Sequence, residues 1–140
     1  MLTTRILATL AAVLVVPLVA AAPAAAAPAP GCDNPISTRP TKSDYLQGKG
    51  EFACRDVQEV AAKVEISYKL IASQPYDLRD STDWIAHGNI GPGGDRWSEV
   101  TRYTTANCGF WMVRSWVRWK PAGASSYTMR QHIATWNPCG

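Results

Sequence analysis

From Val60 onward apolar and polar residues alternate. Val60, Ala62, Val64, Ile66, Tyr68 and Leu70 fall on one side of an extended chain, and Ala61, Lys63, Glu65, Ser67 and Lys69 on the other. A period of two sustained over this stretch marks a half-buried β-strand. Val57, Val60, Ala61 and Val64 also fit the spacing of an amphipathic helix with Asp56 as its N-cap, but the strand template accounts for more positions and for the β-branched residues. Downstream, Trp84 to Ile90 predicts a short strand, and Gly91-Pro92-Gly93-Gly94-Asp95 predicts a turn at which the chain reverses. Trp97 to Thr104 predicts another strand. Phe110 to Lys120 carries Trp111, Val113, Val117 and Trp119 on one side of an alternation, Pro121 to Gly123 a turn, and Tyr127 to Trp136 a last strand. Closely spaced strands punctuated by Gly and Pro predict an all-β fold, an antiparallel sandwich.

The beginning of the chain has a different pattern. Arg5 is the only charge before an apolar run from Ile6 to Ala22, interrupted by Thr9 and Pro17, and an Ala-rich tract follows. Ala24 and Ala26 fit an A-x-A cleavage signal, so residues 1–26 read as a secretory signal peptide cut after Ala25 or Ala26. About 20 apolar residues would also span a bilayer, but Pro17 and the Ala/Pro tail favour cleavage. The expected organisation is a signal peptide at 1–26, an N-terminal arm at 27–50 tied down by Cys32 and holding at most one short strand, and a β-sandwich domain at 51–140. The expected product is secreted, with no membrane span after processing.

Export gives the four cysteines a meaning. Cys32, Cys54, Cys108 and Cys139 form an even set with no C-x-x-C pair, which reads as two disulfides rather than a metal site or a redox pair. Pairing Cys32 with Cys54 and Cys108 with Cys139 closes loops of 22 and 31 residues and is the expected connectivity. The alternative joins Cys54 to Cys108 across two sheets.

Composition narrows the function. The 140 residues are 46% hydrophobic and 18% charged, and six Trp, five Tyr and two Phe supply the apolar area that disordered chains lack. Without its leader the chain has about 113 residues, enough for one modest core and too few for a large multi-step enzyme. Charge is uneven. Residues 28–95 hold seven Lys/Arg and ten Asp/Glu, whereas residues 96–140 hold six Lys/Arg and Glu99 as the one acid. In the basic third, Arg114, Trp116, Arg118 and Lys120 are spaced by two, so a strand points all four to the face opposite Trp111, Val113, Val117 and Trp119. Three cations are not buried unpaired. This face is therefore expected to be solvated, with Trp116 between two guanidiniums in a cation-π ladder, and these four residues are the candidate binding site.

Other constellations are weaker. Asp77, Asp80 and Asp83 share an oxygen-rich loop of the kind calcium favours, but the spacing is not that of an EF-hand and aspartates serve turns. No metal and no cofactor is assigned. Asp83, Asp95 and Glu99 could be drawn on as the carboxylate pair of a small hydrolase. His87 and His132 are the only histidines and no G-x-S-x-G is present, so no catalytic residue is assigned. A net charge of about +2 after processing gives little drive for nucleic-acid binding.

Cys54 opening the alternating run to Leu70, Trp97-x-x-Val100, Ala106-Asn107-Cys108-Gly109-Phe110-Trp111 leading into a strand, and Cys139 one residue from the end form a pattern. Together with the leader, it resembles a broad group of small actinobacterial secreted proteins of unknown function, over Cys54 to Gly140. The resemblance implies an immunoglobulin-like β-sandwich and carries over no catalytic residue. The expected function is a secreted binding or structural module that contacts an anionic or saccharide cell-envelope polymer or another extracellular protein. The alternatives are an extracellular enzyme inhibitor or toxin-like effector acting through the loops between Asp77 and Asp95, and, last, a small hydrolase.

Overall fold

The computed structural model describes residues 25–42, 46–104 and 107–139. The described residues form β1 (Gly31–Cys32), β2 (Ile36–Lys42), β3 (Leu46–Arg55), β4 (Val57–Lys69), β5 (Asp77–Ser81), β6 (Ile85–Ile90), β7 (Asp95–Tyr103), β8 (Phe110–Lys120) and β9 (Thr128–Trp136), with no helix among them. The expected leader lies almost wholly outside the described residues.

The alternation that begins at Val60 is realised in β4. Val60, Ala62, Val64, Ile66 and Tyr68 are buried on its inner face, whereas Leu70 lies beyond the strand end and is 61% exposed. As a central strand, β4 is flanked by β8 on one side and by β5 and β6 on the other. That flanking also buries Ala61 and Ser67 on its outer face. β9 completes this sheet beyond β8. In the second sheet β3 is central, with β7 on one edge and β1 and β2 on the other. All of these pairings are antiparallel.

Within residues 27–50, expected as an arm with room for one short strand, the described residues supply β1, β2 and the first half of β3. Leu46, Gly48, Gly50, Phe52 and Cys54 face the core. The two glycines let the sheets approach. A Cβ on Gly48 would come within 2.7 Å of Ile66 Cγ1, and one on Gly50 within 2.5 Å of Ser115 Oγ and 2.8 Å of Val64 Cγ2.

The chain passes between sheets at a corner. The ribbon formed by β3 and β7 continues into the ribbon formed by β4 and β6, with Cys54 opposite Asp95 before the bend and Val57 opposite Ile90 after it. Asp56 makes the bend with φ 49°, and its N–H donates to Gly91 O at 3.0 Å. The reversal expected at residues 91–95 therefore occurs by folding this ribbon over, and β6 and β7 do not pair with each other. Polar contacts close both flanks of the sandwich. On one, the hydroxyl of Thr101 in β7 donates to Asp80 Oδ2 in β5, and His87 Nε2 lies 2.8 Å from Glu99 Oε1. On the other, Ser37 N–H donates to His132 Nδ1 at 2.9 Å, Ser37 Oγ donates to His132 O at 2.8 Å, and the hydroxyls of Ser37 and Ser115 lie 2.8 Å apart.

The disulfides join Cys32 to Cys54 and Cys108 to Cys139, as expected. The first links β1 to β3 within one sheet, and the second ties the segment ahead of β8 to the segment beyond β9. The alternative bridge from Cys54 to Cys108 is excluded, because both cysteines already have partners.

Candidate functional site

β8 sorts its side chains as its alternation predicts. Trp111, Val113, Val117 and Trp119 are buried inward, while Arg114, Trp116, Arg118 and Lys120 share the outer face and are half-buried there. The register places their neighbours. Across β4, Ala61 lies opposite Arg118, Lys63 opposite Trp116 and Glu65 opposite Arg114. Across β9, Met129, Gln131 and Ile133 lie opposite Arg118, Trp116 and Arg114. Trp116 thus sits at the centre of a flat grid, between Lys63 and Gln131 in one direction and two arginines in the other.

The expected ladder is half right. The Arg114 guanidinium lies 5.3 Å from the Trp116 ring, but that of Arg118 lies between Trp84 at 4.4 Å and Tyr127 at 5.0 Å. Trp84 precedes β6, which lies beyond β4, and Tyr127 precedes β9, so the two rings reach Arg118 from connecting segments on its two sides. Arg114 Nε, Trp116 Nε1 and Arg118 Nε are buried and have no hydrogen-bond partner among the described residues. For the two arginines the neighbouring rings cover the guanidinium and exclude water from it.

The charges divide by residue type. Lys63 pairs with Glu65 at 2.5 Å, and Lys120 pairs with Glu59 at 3.0 Å. Glu59 also accepts a hydrogen bond from Tyr127 Oη at 2.7 Å. It reaches this position from a bulge in β4, with φ 48°. Lys120 is therefore committed to an internal partner. The lysines hold the carboxylates, Lys120 also lying 5.0 Å from the Tyr127 ring, whereas Arg114 and Arg118 pack on rings and have no carboxylate partner among the described residues.

The Glu59 cluster has a pH signature. The Tyr127 hydrogen bond, and after it Lys120, hold the Glu59 carboxyl below the ordinary glutamate range, while the hydrogen bonds to Glu59 push the Lys120 ammonium and the Tyr127 phenol upward. A lowered carboxyl stabilises the fold above its unfolded value and loses that contribution as pH falls through its folded value. A raised ammonium or phenol stabilises below its unfolded value and loses the contribution as pH rises through the folded one. The cluster is thus intact between the carboxylate range and the phenol range. In a spectrophotometric titration, Glu59→Gln is expected to return one of the five phenols to the ordinary tyrosine range. An unchanged titration would show that Tyr127 is not held by Glu59.

The remaining acids are dispersed. Asp77 lies 3.9 Å from Arg79, Asp80 turns inward to Thr101, and Asp83 is exposed at φ 58°. They form no cation site, and no cluster of three metal-ligating side chains occurs among the described residues. Asp95 and Glu99 are four residues apart on β7, or about 13 Å at strand rise, beyond the separation a glycosidase pair spans. Glu99 is engaged by His87. A polar cleft of about 860 Å³ opens where residues 28–33 lie against Arg55, Arg96 and Arg130, and smaller ones of about 310 and 420 Å³ adjoin Trp97 and Asp80. None of these three clefts touches the outer face of β8.

The sequence reading missed Trp84, Tyr127, Glu59, Lys63, Glu65 and Gln131 as members of this face. Lys63 and Glu65 were legible as outward positions of β4; the others depend on register or on a bulge. No family model, curated protein or solved structure matches this chain, so its geometry alone carries the functional reading.

Proposed function

We propose that the chain is exported, loses its leader and acts outside the cytoplasm as a binding module that holds an anionic partner on the outer face of β8. The observation that carries this reading is the pair of arginines. Arg114 and Arg118 are oriented by aromatic rings and have no carboxylate partner among the described residues, while the neighbouring lysines are neutralised. A guanidinium already fixed by stacking loses less freedom when it engages a carboxylate or phosphate, and it can do so bidentately. Two disulfides that bridge all four cysteines fit an oxidising compartment. The strand order also supports an immunoglobulin-like architecture: β2-β3-β7 facing β5/β6-β4-β8-β9 corresponds to A-B-E facing C′-C-F-G.

The test is co-sedimentation with purified cell-wall fragments, before and after their anionic polymers are extracted. The wild type is expected to sediment only with the unextracted walls, and Arg114→Gln/Arg118→Gln to weaken retention by about tenfold or more. Arg55→Gln/Arg96→Gln removes equal charge elsewhere and is expected to leave retention near wild type. Equal losses in both double variants would reduce the effect to net charge and overturn the site.

A further inference from the structure

We infer that the partner held on this face is an acidic glycan, a chain of sugar rings bearing carboxylate, sulfate or phosphate groups, with one ring stacked on Trp116 and flanking anions on Arg114 and Arg118. This rests on the binding reading above and gives it a substrate class. Three observations favour a glycan over an acidic protein surface.

The first is the centre of the grid. The one heteroatom of the Trp116 indole is buried, so the part of its side chain that solvent reaches is carbon. A pyranose ring presents a face of C–H groups that packs on such a surface, whereas an acidic peptide offers only flexible carboxylates there. The second is what surrounds that ring. Lys63 and Gln131 lie opposite Trp116 on the two neighbouring strands, and the Lys63–Glu65 pair adds an acceptor. Donors and acceptors around an aromatic platform match the ring hydroxyls of a sugar. Arg114 and Arg118 lie on either side of it along the strand, about 13 Å apart, so anionic groups on an extended polymer can reach both. The third is where the anchor pockets for protein side chains lie: the three clefts described are all away from this face. Protein interfaces concentrate their energy where an anchor fills a pocket. Met129 and Ile133 are exposed at 54% and 41%, but Gln131 separates them, and single exposed apolar groups are ordinary surface.

The experiment is titration calorimetry of the full processed chain with polygalacturonate, dextran sulfate, neutral dextran and poly-L-glutamate, repeated on Trp116→Ala and Trp116→Phe. At least one acidic glycan is expected to bind about tenfold or more tighter than poly-L-glutamate at equal charge. Trp116→Ala is expected to remove most of that preference and Trp116→Phe to restore part of it. The phenylalanine variant keeps the test valid should the alanine variant melt near the working temperature. Equal affinity for poly-L-glutamate and the acidic glycans, or indifference to both substitutions, overturns the glycan assignment while leaving the anionic reading in place. Failure of all the polyanions, together with failure to sediment on cell walls, overturns both.

Discussion

Trp111→Ala is expected to cost about 3–5 kcal/mol of folding stability, the range for emptying a buried aromatic site. The indole is 1% exposed and stands where the two sheets and a loop meet. Its ring lies 4.6 Å from that of Tyr68 in β4 and 5.8 Å from that of Tyr103 in β7, and its N–H donates to Asn107 O at 2.9 Å. Removal opens a cavity lined by both sheets, and neither can close it without moving the other. Against a total stability of about 5–15 kcal/mol for a domain of this kind, the loss approaches the threshold of folding. Urea denaturation is expected to show a lowered midpoint with an unchanged slope. A loss under about 1 kcal/mol would remove Trp111 from the junction.

The contrast with Trp116 isolates the face rather than the residue type. Both are tryptophans on β8, five positions apart, one inward and one outward. Trp116 packs against Arg114 on the outer surface, so Trp116→Ala removes a stacking contact without emptying a core site. The measurement that ranks the two is the same denaturation curve.

Much of this fold can be read along the chain wherever one strand carries its own alternation. β4 and β8 are such strands, because each lies in the middle of a sheet and its inner residues need burial regardless of which neighbour provides it. β3 is different. Its inner positions include Gly48 and Gly50, which resemble loop signals in a sequence and are here points where the facing sheet leaves no room for a Cβ. A rule that treats glycine as punctuation turns the first half of a central strand into part of an arm. Gly91 to Asp95 is a related case: the turn was legible, but the fact that it folds a ribbon across to the other sheet depends on Asp56, far away in the chain.

The candidate site divides in the same way. The outward direction of Arg114, Trp116, Arg118 and Lys120 follows from a two-residue period in one segment. Their partners do not. Trp84 and Tyr127 adjoin Arg118 only because β6, β4, β8 and β9 adopt one register, and Glu59 reaches Lys120 only because a bulge turns the backbone to a positive φ. The distinction that supports a binding role, lysines paired with carboxylates and arginines without such pairs among the described residues, emerges from that register. Sequence places the four residues on one face; the structure separates Lys120, paired with Glu59, from the two arginines.

Removing either disulfide is expected to cost about 2–4 kcal/mol. The bridges close loops of 22 and 31 residues, and chain-entropy arguments give these a difference of only about 0.3 kcal/mol. What distinguishes the bridges is therefore their native surroundings. Cys32 and Cys54 are each 4% exposed, whereas Cys108 and Cys139 lie at the surface. Brief treatment with a mild reductant and an alkylating agent is expected to label Cys108 and Cys139 first by peptide mapping, because exchange requires access to sulfur. Labelling of Cys32 and Cys54 at the same rate would contradict that order. The exposed bridge also holds the segment that seats the core tryptophan: Cys108 O accepts from Tyr68 Oη at 2.7 Å, and Asn107 O accepts from the Trp111 indole. Cys108→Ser/Cys139→Ser and Trp111→Ala therefore loosen the same junction, and their combined loss is expected to fall short of the sum by about 0.5 kcal/mol or more. Cys32→Ser/Cys54→Ser acts within the other sheet, and its loss is expected to add to that of Trp111→Ala. Additivity in both combinations would mean that the exposed bridge and the buried ring stabilise the sandwich independently.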